Sequence, residues 1–126
     1  MSLQNQTNEL RSSLEKLRQH YITHDKPENK KDPDFFQYVK EETTPLFEHI
    51  DQWQKEAEKF VQHREVNVHP QQVEDTAENV KLLLLHSYYI DVRRKRYMEL
   101  YHSVLYVFQL IENDIANNPS LANQSH

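Results

Sequence analysis

Glu99 and His102 stand three residues apart in the stretch YMELYH, a spacing that places a carboxylate and an imidazole on one helix face. In dinuclear carboxylate bundles, a Glu-x-x-His pair from each of two helices joins single glutamates from the other two. This chain contains no second Glu-x-x-His. The apolar stripe of the same predicted helix runs through other positions, namely Tyr97, Tyr101, Val104, Phe108 and Ile111. We therefore interpret the pair as a flanking surface feature and predict no metal there.

The eight histidines suggest a second metal hypothesis, because three imidazoles with an open fourth position suit a catalytic zinc site. His20 and His24 are four residues apart on the first predicted helix, and His86 comes from another helix. Neither His20 nor His24 falls on the apolar stripe of its helix. His24, near the helix end, has a simpler role as a partner of the helix dipole. We predict no cofactor, and a metal-dependent bundle enzyme with His and Glu ligands is the alternative.

Four consecutive cations form the strongest local charge feature, and they are Arg93, Arg94, Lys95 and Arg96. Such a cluster could bind nucleic acid, another anionic ligand or an acidic protein partner. Because a helix turns by about 100° per residue, the four side chains point in different directions. Cations at a helix start also oppose the helix dipole, so we expect acidic partners on neighbouring helices. The candidate partners are Glu41, Glu42, Asp51 and Glu74.

The chain contains no glycine and no cysteine, which removes several classes of site. Phosphate-binding loops and dinucleotide-binding turns need glycine for close backbone approach, so both are excluded. Thiolate catalysis, disulfides and cysteine-ligated zinc are excluded as well. No serine, histidine and acid stand at a local spacing that indicates nucleophilic catalysis. Asn79, beside the predicted stripe position Val80, is a candidate buried polar residue.

The net charge and the apolar stretches bound the cellular setting. A net charge of -5 argues against general affinity for nucleic acid or for an anionic membrane, and leaves only a local patch. The longest apolar stretches fall well short of the roughly 18 residues that indicate a membrane span. The N-terminus lacks the basic and apolar regions of a secretory signal. We predict a soluble cytoplasmic protein, either a monomer or a homodimer.

Apolar residues recur at spacings of three and four along most of the chain, and this period predicts four amphipathic helices. The first three stripes comprise Leu3, Leu10, Leu14, Leu17 and Tyr21; Leu46, Ile50, Trp53, Ala57 and Phe60; and Val73, Ala77, Val80, Leu84 and Ser87. Facing stripes of this period favour an all-α fold, a four-helix up-and-down bundle with a left-handed twist. We predict a single domain over residues 1–126, ordered over about residues 3–116.

Two junctions leave alternatives open. Pro45 predicts either a short extra helix before it, followed by a threonine cap, or one helix kinked at Pro45. Neither proline nor glycine separates the third and fourth helices, so one continuous helix over residues 70–116 is also permitted. We prefer a break near Tyr89, with Asp91 as the cap of the last helix, because a single long rod would carry its apolar stripe beyond the other helices.

Four stretches together resemble the YppE-like proteins of Firmicute bacteria: DFFQYVK, DQWQKEAEKFV, HPQQVEDTAENVKLL and RRKRYMELYHSVLYV. The resemblance covers roughly residues 34–111, and its best markers are Trp53 with Ala57, the TAEN run that ends at Asn79, and the segment from Arg96 to Tyr106. It implies a four-helix bundle and brings no established activity, cofactor or catalytic residue. The residues themselves favour a non-enzymatic interaction or structural role, with the basic cluster as the candidate contact.

Overall fold

The computed structural model describes residues 2–63 and 65–120, and the predicted frayed end beyond Ala116 lies largely outside this part. Four α-helices make up the bundle: α1 (Leu3–Thr23), α2 (Pro33–Phe60), α3 (Pro70–Tyr89) and α4 (Arg94–Asn117). No strand occurs among the described residues, so the all-α prediction is confirmed. Over the same residues, no helix is both long enough and apolar enough to cross a membrane.

Local capping residues fix where the first three helices begin. The Ser2 hydroxyl caps α1 by accepting a hydrogen bond from the backbone N–H of Asn5 at 3.1 Å. Asp32 caps α2 by accepting the N–H of Asp34 at 3.0 Å, and Pro33 fills the first helical position. Pro70 opens α3 in the same way. A proline at this position loses no helical hydrogen bond, because the first N–H groups of a helix have no partner within it.

Pro45 lies inside α2, so the prediction of a separate short helix with a threonine cap is wrong. Thr43 is buried in the middle of α2 instead of capping a new helix. The Thr44 hydroxyl donates to the carbonyl of Lys40 at 2.6 Å. Because proline has no N–H, the carbonyl of Glu41 lacks its usual helical donor. Of the two alternatives, only one helix that passes through Pro45 agrees with the structure.

The break between α3 and α4 is confirmed, but its predicted cap is wrong. Ile90 ends α3 in the left-handed region, with φ 50° and ψ 42°. This conformation is rare for a β-branched residue, and its cost is offset here by packing of the half-buried side chain against the core. The N-cap of α4 is Arg93, not Asp91. The Asp91 carboxylate instead accepts a hydrogen bond from Nδ1 of His86 at 2.8 Å.

The four helices alternate in direction, so the up-and-down order is observed. Helices α1 and α3 end side by side, where Nδ1 of His20 donates to the carbonyl of Ser87 at 2.8 Å. Helix α2 begins at the same end, where the ring of Tyr38 meets that of Tyr88 at 6.0 Å. Helix α4 starts there too, after a short connection, and runs back along α1 and α3. The left-handed twist stays a prediction.

The core is built from the predicted stripes. Every stripe residue of α1 and α3 is buried, and so are four of the five in α2, where Leu46 is partly exposed. Trp53 and Phe108 bring α2 and α4 together at the centre, with ring centroids 5.4 Å apart. The indole Nε1–H of Trp53 donates to the hydroxyl of Thr7 at 3.0 Å, so the largest core residue also has its polar atom satisfied.

Candidate functional site

The four consecutive cations, which we call the basic rim (Arg93, Arg94, Lys95 and Arg96), are all exposed. Arg96 approaches Glu99 at 3.8 Å, a long and exposed pair within one helix. Among the described residues, no carboxylate lies within 4.0 Å of the other three cations. The expected pairing with acids of neighbouring helices is therefore wrong. Asp51, one of those candidates, pairs with Lys81 at 2.9 Å instead.

The position of the basic rim strengthens its positive potential. Arg93 is the N-cap of α4, and the other three cations occupy its first turn, which contains no acidic residue. The unpaired N–H groups at a helix N-terminus add a partial positive charge to that of the side chains. The same end of the bundle therefore attracts anions more strongly than four isolated surface cations would.

Aromatic rings continue across this end of the bundle in a band that we call the aromatic row: His24, His20, Tyr88, Tyr38, Phe35 and Tyr89. His20 stacks on His24 at 3.8 Å and meets Tyr88 at 4.7 Å. Phe35 meets Tyr89 edge to face at 5.3 Å. Phe36 beside the row is 57% exposed, and Tyr38 within it is 45% exposed. Apolar ring surface therefore reaches solvent at the same end of the bundle as the basic rim.

The structure disperses most of the sequence candidates for metal binding. Glu99 and His102 are both exposed on α4, and His86 contacts Asp91. His20 and His24 do come together, but Nδ1 of each contacts a backbone carbonyl. Over residues 2–63 and 65–120, no three His, Asp or Glu side chains gather in a group that could hold a metal ion. Asn79, the candidate buried polar residue, is only partly buried.

The buried polar residues are others, and the sequence pointed to few of them: Thr7, Thr43, Thr76, Ser87 and Asp114. Ser87 was placed on the α3 stripe by its spacing, and its hydroxyl meets that of Tyr97 at 2.7 Å. Burial is the main cause that raises the pKa of Tyr97 to about 12. Asp114 stands three residues after the stripe position Ile111, a spacing that could have indicated an acid near the core.

Glu15 has two charge-stabilising partners, Arg18 on its own helix α1 and Tyr101 on α4. Its carboxylate accepts hydrogen bonds from Nη2 of Arg18 at 2.7 Å and from the Tyr101 hydroxyl at 3.0 Å. The Arg18 hydrogen bond, followed by that of Tyr101, lowers the pKa of Glu15 from its ordinary 4.5 to about 2. The charged form of Glu15 is therefore the form that the folded protein favours.

Because of these two partners, we expect the ionised Glu15 carboxylate to stabilise the folded protein, and this stabilisation to be lost in acid. Because the folded pKa is about 2 and the ordinary value 4.5, the unfolded chain binds more protons between these pH values. The contribution of Glu15 is therefore complete above about pH 4.5 and is lost as the pH falls towards 2. The urea midpoint of the wild type should fall more steeply over this window than that of Glu15→Gln. Parallel curves for the two proteins would contradict it, and Glu48→Gln, an exposed site, is the control.

Comparison with known proteins places this bundle. The model of a bacterial domain of unknown function, DUF1798, matches residues 7–115. The chain belongs to this family. The DUF1798 chain is 30% identical to the uncharacterized protein YppE of Bacillus subtilis over 88 residues. The match covers 69% of this chain and 72% of that protein. It also resembles the crystal structure of Bacillus subtilis YppE, with a TM-score of 0.80 and 26% identity over 94% of this chain and 95% of that one.

Family membership confirms the YppE-like resemblance and agrees with the four-helix fold. The DUF1798 description carries no activity, and the relative in Bacillus subtilis is named as uncharacterized. The basic rim and the aromatic row are the surface features of this DUF1798 protein that could contact a partner.

Proposed function

We propose that this DUF1798 protein is a non-enzymatic binding protein whose basic rim holds an acidic segment of a protein partner. The exposure of all four rim cations supports this, because three of them have no carboxylate within 4.0 Å among the described residues. Like charges crowded at the start of a helix repel one another and oppose the helix dipole. An acidic partner would relieve both effects. The predicted cytoplasmic location fits a partner inside the cell.

The neighbouring aromatic surface favours a protein over a nucleic acid as the partner. Phe36 and Tyr38 offer exposed ring surface that apolar side chains of a peptide can cover, and Arg and aromatic residues are enriched at binding hot spots. The net charge of -5 works against a long polyanion, whose field acts on the whole protein and not only on the rim. A short acidic segment would meet the rim alone.

A charge-reversal experiment tests the proposed contact. Arg93→Glu/Lys95→Glu should abolish capture of the partner from a lysate of the source cells. The fold should survive, since glutamates at the N-cap and in the first turn of α4 favour the helix dipole and both native side chains are exposed. Lys55→Glu/Lys59→Glu on α2 changes the net charge equally at exposed positions away from the rim, and should keep the partner. Proteins captured by wild type and control but not by the rim variant are the expected result, with binding that weakens as salt rises.

Three outcomes would contradict the proposal. The same proteins bound by all three baits would show that the rim is not the contact. Capture that disappears after nuclease treatment would assign the rim to nucleic acid. Binding that is insensitive to salt would show that ionic contacts do not carry it.

A further inference from the structure

A groove of about 410 Å³ lies between α1 and α2, on the side away from α4. We call it the α1–α2 groove. Its volume falls in the usual range for small-molecule sites, which often lie between the helices of a bundle. Its α1 wall carries Ser13, Lys16 and His20, and its α2 wall carries Glu42 and Pro45, while Tyr88 of α3 closes one end.

The groove follows from the residues that face each other across the two helices. Ser13 is too small to fill the space opposite Pro45 and Leu46, where larger side chains would interlock. Lys16 and Glu42 both line the groove and are both exposed, so neither side chain fills the gap. The apolar floor, formed by Leu17 with Pro45 and Leu46, therefore remains accessible from outside.

The α1 wall presents hydrogen-bond donors and a positive charge. The ammonium of Lys16 has no carboxylate within 4.0 Å among the described residues. Nδ1 of His20 must donate to the carbonyl of Ser87, because a carbonyl oxygen only accepts. That hydrogen bond fixes the ring, and in the neutral imidazole Nε2 is then an acceptor that cannot donate to a carboxylate. The ammonium of Lys16 and the hydroxyl of Ser13 are the groups on this wall that suit a carboxylate.

The opposite wall presents a negative charge beside aromatic rings. Glu42 follows Tyr38 by one helical turn on α2, and Tyr38 meets the ring of Tyr88 edge to face at 6.0 Å. Glu42 and Tyr88 both line the groove. Burial raises the pKa of Tyr88, and the negative charge of Glu42 raises it further. A carboxylate next to aromatic rings is an arrangement that binds an ammonium group, by ion pairing and by cation–π attraction.

We propose that the α1–α2 groove binds a small zwitterion with an apolar body, of the class of free aromatic α-amino acids. The carboxylate of the ligand lies towards Lys16 and Ser13, its ammonium towards Glu42 and Tyr88, and its side chain over Leu17, Pro45 and Leu46. A purely anionic ligand would meet Glu42, and a purely cationic one would meet Lys16. A neutral apolar ligand would desolvate both charges without pairing either of them. Only a ligand with both charges satisfies both walls.

Titration with L-phenylalanine, followed by the amide resonances of ¹⁵N-labelled full-length protein, tests the proposal directly. Shifts should concentrate at residues 13–20, 42–46 and 88. N-acetylphenylalanine lacks the ammonium charge and phenylalaninamide lacks the carboxylate, and each should bind at least about tenfold more weakly, as expected for loss of a hydrogen bond to a charged group. No shift in the groove at millimolar L-phenylalanine would overturn the proposal. Equal affinity for the three compounds would overturn it too.

Substitutions at two exposed residues identify which wall binds which charged group of the ligand. Glu42→Gln should weaken L-phenylalanine about tenfold while leaving N-acetylphenylalanine unchanged, and Lys16→Gln should show the same pattern with phenylalaninamide. Lys40→Gln and Glu48→Gln are matched controls, since both positions are exposed on α2 and neither lines the groove. If the variants lower the affinity for all three compounds alike, the two walls do not bind the ligand's charged groups as proposed. Rim variants should leave this binding unchanged, which keeps the groove separate from the proposed partner contact.

Discussion

We expect Asp114→Ala to lower the free energy of unfolding by about 3 kcal/mol or more, although Asp114 lies far from the basic rim and the groove. Asp114 is 2% exposed on α4, and its carboxylate accepts the backbone N–H groups of Asn67 at 2.9 Å and of Val68 at 3.1 Å. The side-chain amide of Asn67 donates to it at 3.0 Å. Alanine would leave these N–H groups without an acceptor. The N–H group of Val68 belongs to a buried residue, so leaving it unpaired is costly.

A pair of variants separates the carboxylate from the packing at Asp114. Asp114→Asn keeps the shape of the side chain but supplies only one acceptor oxygen, and its amide N–H groups face other donors. Its free energy of unfolding should therefore lie between those of the wild type and Asp114→Ala. Asn113→Ala, at the exposed neighbouring position, should change stability by less than about 0.5 kcal/mol. Urea unfolding followed by circular dichroism gives the three values. If alanine and asparagine prove equal to wild type, Asp114 does not hold the α2–α3 connection.

The role of Asp114 shows why sequence spacing reaches only part of this fold. The partners Asn67 and Asp114 are 47 residues apart, and no local pattern joins a loop residue to an acid near the end of α4. Pro70, at the first position of α3, marks where that connection ends. What holds the connection in place depends on the packing of α4, which is a property of the assembled bundle.

The helices were predictable because burial follows the period of the helix. Stripe residues of α1 and α3 are buried without exception, since each contacts other helices along its whole length. Pro45 left two alternatives open, because a proline inside a helical pattern either ends the helix or removes only one of its hydrogen bonds, and here the helix continues. The break at Ile90 was located correctly, but its left-handed conformation could not be anticipated for a β-branched residue.

The candidate site was predictable in composition but not in arrangement. The basic rim was evident from four consecutive cations, whereas their lack of acidic partners depends on which side chains the assembled bundle places beside them. The α1–α2 groove was missed because its charged residues, Lys16 and Glu42, belong to different helices and neither forms a local motif. A second, offset line of residues on each helix, outside the apolar stripe, is the sequence signal that could have indicated it.

The other large effect is expected at Trp53, which is fully buried at the centre of the bundle. Trp53→Ala should cost about 3–5 kcal/mol, since it removes the contact with Phe108 and leaves a cavity that the surrounding helices cannot close. Urea unfolding followed by circular dichroism measures it, because the variant lacks the only tryptophan as a fluorescent probe. A cost below about 1 kcal/mol would mean that the core repacks around the gap.

The hydrogen bond of Trp53 can be separated from its packing by a double-mutant cycle with Thr7. Thr7→Val preserves the shape but leaves the indole N–H buried without an acceptor, so we expect a loss of about 1–3 kcal/mol. In a Trp53→Phe background that N–H no longer exists, and the same Thr7→Val change should cost less. Equal costs in the two backgrounds would show that Thr7 stabilises the protein only through its contact with Leu3, whose carbonyl accepts the Thr7 hydroxyl at 2.8 Å. A smaller cost in the phenylalanine background would instead show that α1 and α2 are joined by a polar contact inside an otherwise apolar core.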